Sequence, residues 1–197
     1  MTLAKIPAPY RVMGEVTEDP FTQEEYVLLR SALERYRDIL LIKCLRATGL
    51  RIAEMLSITP EQIEENGPDT YLLIRRGKKR TTTGVMPKWE KVYLPRELGL
   101  ELRQFMHGNR LASGQPIWGV KARQVRNILA AAGLKAIGRR IHPHEFRHLY
   151  IKTLIDAGLP AEAAAKMVGH ASSKTTEEYY YRLTAGQQRD IQQRIPV

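Results

Sequence analysis

Three short segments of this sequence group residues that handle anions and protons. The first is Ala47-Thr48-Gly49-Leu50-Arg51-Ile52-Ala53-Glu54. Gly49 suits the left-handed position that ends one helix, and Arg51 falls at the start of the next. A guanidinium beside the unpaired amides of a helix N-terminus is suited to a phosphate. Glu54, three residues on, is placed to hold that guanidinium, although a plain surface Arg–Glu pair has the same spacing. The second segment is His142-Pro143-His144-Glu145-Phe146-Arg147-His148, with Pro143 at a helix start. His144, Arg147 and His148 fall at i, i+3 and i+4 and share one helix face. Two imidazoles flanking a guanidinium are poor core material, but Arg147 offers paired donors and His144 exchanges a proton near neutral pH. The same residues spell H-E-x-x-H, the two-histidine zinc pattern of metallopeptidases, which is the rival reading. Against it, neither Glu162 nor His170 completes an extended zinc pattern, and Arg147 sets a fixed positive charge in the turn that would hold a dication. In the third segment Gly169 hands His170 to the polar turn Ala171-Ser172-Ser173-Lys174, and Thr175 or Thr176 caps a helix carrying Tyr179, Tyr180 and Tyr181. Successive helical side chains point about 100° apart, so the three tyrosines do not all face one target. Packing or plain exposure accounts for Tyr180 and Tyr181.

The elements that must position these segments are mostly helical. Residues 1–20 carry Pro7, Pro9 and Pro20 and no apolar periodicity, which reads as an extended arm. Thr22-Gln23-Glu24-Glu25 is a capping box, opening a helix with Tyr26, Leu29, Leu33 and Tyr36 at helical spacing. A second helix is expected over Asp38–Ala47 and a third over Arg51–Ser57. Asp69–Ile74 and Glu90–Leu94 read as short strands, joined through the basic run Arg75-Arg76-Gly77-Lys78-Lys79-Arg80. Beyond Pro95 helices are expected near 96–107, 121–132, 143–157, 160–168, 175–183 and 185–194, with Gly108, Gly133, Gly158 and Gly169 as stops. The expected class is therefore mostly α with a small antiparallel β-sheet, an α+β fold.

Composition bounds the setting. The 197 residues fit a single domain with tails, and 43% hydrophobic with 26% charged residues is ordinary for a globular chain. The apolar run Ile39–Ile42 stops at Lys43, far short of a membrane span. Cys44 is the only cysteine, so no intrachain disulfide forms, and its apolar setting reads as a buried thiol. Lys and Arg exceed Asp and Glu by 31 to 21, a net +10 that suits a polyanion such as DNA, RNA or an anionic membrane, or a merely soluble basic protein.

Taken together, the three segments resemble the catalytic domain of the tyrosine recombinases, the phage-integrase family. The family's first box, A-T-G-x-R-x-x-E, is met at Ala47–Glu54. Its second, H-x-L-R-H, is met at His144–His148 with Phe146 for leucine. Its third, L-G-H followed by T-T-x-x-Y, is met at Val168-Gly169-His170, Thr175-Thr176 and Tyr179, with Val168 for leucine. Tyr179 stands nine positions after His170, the family's spacing. The resemblance runs from about Pro20 to Leu183. The family also places a lysine in a β-hairpin between the first two boxes; Lys78 is the best match, and Lys79 adjoins it.

The resemblance implies a DNA breaking-rejoining fold and a site-specific recombinase acting through a 3′-phosphotyrosine, independent of ATP. Its catalytic residues would be Arg51, Lys78, His144, Arg147, His170 and Tyr179, with His148 supporting. Arg75, Arg76, Lys79, Arg80 and Lys174 would bind DNA. No metal and no cofactor is implied. The partner is double-stranded DNA, bound by a homo-tetramer that passes a C-terminal segment between protomers and is a monomer in free solution; no membrane is involved. The setting implied is cytoplasmic and nucleoid-associated, in a prokaryote, virus or mobile element. Residues 21–197 would form the catalytic domain with its C-terminal helix. The family's N-terminal core-binding domain is expected to be absent, since only the arm precedes the capping box. The rivals are type IB topoisomerase-like relaxation, the zinc peptidase, and a DNA-binding module without catalysis.

Overall fold

The computed structural model describes residues 21–76 and 88–169, together with Arg189, Gln192, Gln193 and Ile195. Seven helices and three strands are laid out over them: α1 (Gln23–Ser31), α2 (Tyr36–Thr48), α3 (Ile52–Leu56), β1 (Ile63–Asn66), β2 (Asp69–Arg76), β3 (Lys88–Leu94), α4 (Arg96–Gly108), α5 (Ala122–Ile137), α6 (Pro143–Asp156) and α7 (Ala161–Met167). The α+β reading holds: a helical body carries one antiparallel sheet of order β1-β2-β3.

Helix α2 is the central helix, buried on most of its sides. Leu40, Leu41, Ile42, Cys44, Leu45 and Ala47 are all buried. It packs on α6 and α4. Burial also pushes the Cys44 thiol well above its ordinary range, so it stays protonated. The sheet buries Leu72, Ile74, Val92 and Leu94 against the helices. Phe146, from the second motif, meets Phe21 and Tyr26 edge-on with centroids 5.3 and 6.2 Å away, fixing the start of α6 in the core.

The Thr22–Glu25 capping box forms in both directions, each bond 3.1 Å. Glu25 then reaches further. Its carboxylate accepts from Arg139 at 3.0 and 2.7 Å, and Arg139 also donates to Glu145 at 2.7 Å. Glu145 in turn accepts from the His142 amide at 2.8 Å and caps α6. One guanidinium thus ties the beginnings of α1 and α6 together.

The helix boundaries differ from expectation in two places. Helix α1 ends at Ser31 and Tyr36 opens α2, so Leu33 and Tyr36 lie beyond α1. Leu33 is still buried, and Tyr36 donates to Glu101 at 3.4 Å. Helix α5 does not stop at Gly133 but continues to Ile137, ending on left-handed Gly138 at φ 75°. Gly133 serves close packing instead, for a Cβ there would lie 2.6 Å from the Arg139 carbonyl oxygen. The helices expected near 175–183 and 185–194 lie outside the described residues, though Arg189 and Gln192 are helical. Among the described residues no helix is long and apolar enough to cross a membrane.

Candidate active site

The first motif segment folds as the sequence suggests. Gly49 ends α2 at φ 62°, ψ 18°, and its amide donates back to Leu45. A side chain would be strained there, and it would also collide: a Cβ would sit 2.4 Å from Tyr150 Cδ1 and 3.0 Å from Val168 Cγ1. The glycine therefore lets α2 end flush against α6 and the residue after α7. Two residues on, Arg51 is the cap residue of α3. Glu54 accepts from the Arg51 amide at 2.8 Å and from its guanidinium at 2.9 Å. A second guanidinium nitrogen donates to the Gly169 carbonyl at 3.0 Å. The Arg51 side chain remains 45% exposed, so it is aimed yet reachable. Helix α3 is pinned from behind by Trp118, whose indole donates to the Met55 carbonyl at 2.9 Å.

Arg147 differs sharply in setting: it is only 1% exposed. Its guanidinium donates to the Gly49 carbonyl at 2.8 Å and to the Val168 carbonyl. A buried guanidinium is costly unless its donors are met, and backbone oxygens from two different motif segments each accept one of its N–H groups here. The three segments are therefore joined directly. Arg147 links the second to the first and third, and Arg51 links the first to the third. Sequence spacing gave no sign of these carbonyls, because every residue offers one.

His144 and His148 lie one turn apart on α6 with their rings edge-to-face, centroids 4.5 Å apart. Burial, then the neighbouring His148, Arg147 and Arg51, lowers the His144 pKa from 6.5 to about 4. His148 is also lowered, by burial and Arg147, with Glu145 opposing. Both imidazoles are thus held neutral at neutral pH, the form in which an imidazole accepts a proton. Arg51 thus acts on His144 through its charge although the two come from different elements.

Glu145 faces elsewhere, and this bears on the zinc reading. In a two-histidine peptidase motif the glutamate activates water beside the metal. Here its carboxylate is committed to the His142 amide and to Arg139. Among the described residues no group of three His, Cys, Asp or Glu is gathered to hold a metal. Arg75 is exposed at the end of β2, and Arg76 closes that strand. Lys78, Lys79, Arg80, His170, Lys174 and Tyr179 lie outside the described residues.

The Phage integrase family model matches residues 20–186, most of the chain. The chain belongs to the phage integrase family. Two curated family members illustrate the distance. The tyrosine recombinase XerC of Pseudomonas syringae pv. syringae is 30% identical over 149 residues, covering 73% of this chain and 48% of XerC. The tyrosine recombinase XerA of Pyrococcus furiosus is 28% identical over 176 residues, covering 83% of this chain and 57% of XerA. This chain spans about half the length of the curated relatives it matches. The integrase fold itself is matched by the crystal structure of the XerH site-specific recombinase bound to difH substrate. That likeness has a TM-score of 0.63 and 20% identity, over 79% of this chain and 47% of XerH.

Proposed function

We propose that this chain is the catalytic part of a site-specific DNA recombinase that cuts and rejoins double-stranded DNA through Tyr179. One observation carries the reading: Arg51 and Arg147, 96 positions apart in the sequence, are bound to carbonyls of the same short stretch, Val168-Gly169. That stretch runs straight into His170 and on towards Tyr179. The shared anchor supports a two-guanidinium clamp on one phosphate, with the nucleophile delivered by the segment that anchors it. The relatives' recombinase names and the transposon right end DNA in complex with the Tn1549 transposon integrase support the same substrate.

The step balances without an outside energy source. The Tyr179 oxygen attacks phosphorus, forming the 3′-phosphotyrosine as the bond to the 5′-oxygen breaks. Arg51 and Arg147 stabilise the charge that grows on the non-bridging oxygens. His144 takes the tyrosine proton. Lys78, with Lys79 the alternative, protonates the departing 5′-oxygen. His170 hydrogen-bonds the phosphate, and His148 braces His144. A phosphodiester seated at the clamp offsets part of the positive field on His144 and so raises its readiness to take that proton. Attack by the freed 5′-hydroxyl of another strand reverses every bond change and regenerates Tyr179. Arg75, Arg76, Lys79, Arg80 and Lys174 hold flanking phosphates, which position the duplex without reading its sequence. Residues 21–197 serve as the catalytic unit, and four such chains on two duplexes complete the exchange.

The test is a nicked suicide duplex incubated with the protein in excess EDTA and run on a denaturing gel. A covalent protein–DNA adduct is expected, and Tyr179→Phe abolishes it. An adduct from Tyr179→Phe would name another nucleophile. Loss of the wild-type adduct on adding EDTA would restore a metal-dependent reading.

A further inference from the structure

We propose that Trp89 is a DNA contact, its indole packing on the sugar-phosphate backbone beside the cleavage site; this rests on the DNA-cleaving reading above. Trp89 is 59% exposed, the most exposed of the large hydrophobic side chains among the described residues. It stands on β3 directly opposite Arg75 of β2, so the two share one face of the sheet. Tyr71 and Tyr93 form another opposed pair on that face, and both are buried. At that end Gln193 donates to the Tyr93 hydroxyl at 3.2 Å and Arg189 pairs with Asp69 at 3.2 Å. C-terminal residues thus cover one end of the face and leave Trp89 at the other.

The surroundings of the exposed ring choose its partner. Strand β2 leads into Arg75-Arg76-Gly77-Lys78-Lys79-Arg80, five basic residues in six. An apolar partner gains nothing from that charge, and the same basic run of a second copy would be repelled at this face. A polyanion with flat apolar surfaces satisfies both features. Ring faces pack on deoxyribose or base while cations beside them meet phosphates, and the indole N–H is itself a donor to a phosphate oxygen. Trp89 therefore anchors the duplex beside the strand end at Arg75, from which the sequence runs on to the proposed leaving-group lysine.

The chain has two tryptophans, and the other, Trp118, is buried at 2% exposure. Long-wavelength emission therefore reports Trp89, while Trp118 emission reports the intact fold. Random-sequence duplex DNA is titrated into the full chain, reading tryptophan emission, iodide access and the anisotropy of labelled duplex. The wild type is expected to lose iodide-accessible emission as it binds. Trp89→Ala is expected to bind about 5- to 100-fold more weakly, with Trp118 emission unchanged. Its salt dependence stays parallel to wild type, whereas Arg75→Ala lowers the log–log salt slope by about 1. Equal affinity of Trp89→Ala and wild type overturns the contact and leaves the strand-cleaving reading standing. A lowered oligomer mass with unchanged DNA affinity assigns the ring to a protein interface and also overturns it. A wild type that binds no duplex overturns both readings.

Discussion

At the scale of single residues, the two arginines of the proposed clamp are built differently and should fail differently. Arg51 is half in solvent and braced by Glu54, so Arg51→Ala removes a charge with little structural cost. A fall in adduct formation of about 100-fold or more is expected, with a nearly unchanged melting temperature. Arg147 is buried on two carbonyls, so Arg147→Ala leaves both without a donor. Each orphaned buried acceptor costs about 1–3 kcal/mol, and the adduct and several degrees of Tm should be lost together. Calorimetry beside the suicide-substrate assay separates the two cases. His144 makes a pH prediction. Its folded pKa of about 4 lies below its ordinary 6.5, so between those values the unfolded chain binds more protons. Stability should therefore fall as pH drops from 6.5 toward 4, and His144→Gln should flatten that limb of a Tm-against-pH curve. An identical limb in the variant would contradict the depressed pKa.

At the scale of elements, the site depends on how α2 stops. Gly49→Ala forces a methyl into the Tyr150 ring and against Val168 while straining the backbone. Overpacking and strain together should cost roughly 2–4 kcal/mol, a Tm loss of about 5–15 °C. Because the Gly49 carbonyl also orients Arg147, adduct formation should fall at temperatures where the variant is still folded. Much of this level was legible. The Thr22–Glu25 box, the Thr48-Gly49 stop, the Pro143 start and the strand alternation through Leu72, Ile74, Val92 and Leu94 each follow from local chemistry. Other boundaries were not. Nothing in Leu33-Glu34-Arg35 punctuates the chain, so the break between α1 and α2 is decided by packing of Leu33. Strand β1, Ile63–Asn66, lacks apolar alternation and exists because Asn66 pairs with Asp69 across Gly67-Pro68, with Gly67 at φ 59°. Gly67, first of the two loop residues, was a hairpin signal open to reading. Gly133 misled because close packing and helix termination both favour glycine.

At the scale of the molecule, the C-terminal residues are fastened to the body that holds the site. Gln192 donates to the Tyr150 hydroxyl at 2.5 Å, and Ile195 is buried with Tyr150, Leu154 and Val168. Residue types alone left open whether this segment packs on its own domain. In the single chain Ile195 and Gln192 pack on their own domain, and the reason is tertiary: the receiving cluster comes from α6, α7 and Val168. Ile195→Asp would place a charge in that cluster. Hydrogen exchange should show lost protection at Gln192 and Gln193 and at the neighbouring α6 amides. Amides of β2 and β3 should be unchanged, because the three-stranded register does not involve Ile195. Uniform loss across the sheet would mean the tail is integral to global folding.

The carbonyl anchors also carry a consequence in time. Arg147 reaches back 98 positions to Gly49, and Arg51 reaches forward 118 positions to Gly169. A ribosome releases residues in order, so the basic run Arg75–Arg80 emerges long before Arg147 or the Val168 and Gly169 carbonyls. On the proposed reading, an unfinished chain can cling to nucleic acid but has nothing with which to break it. The proposed competence arrives only once the chain has passed Gly169, with the body already in place to receive the proposed nucleophile.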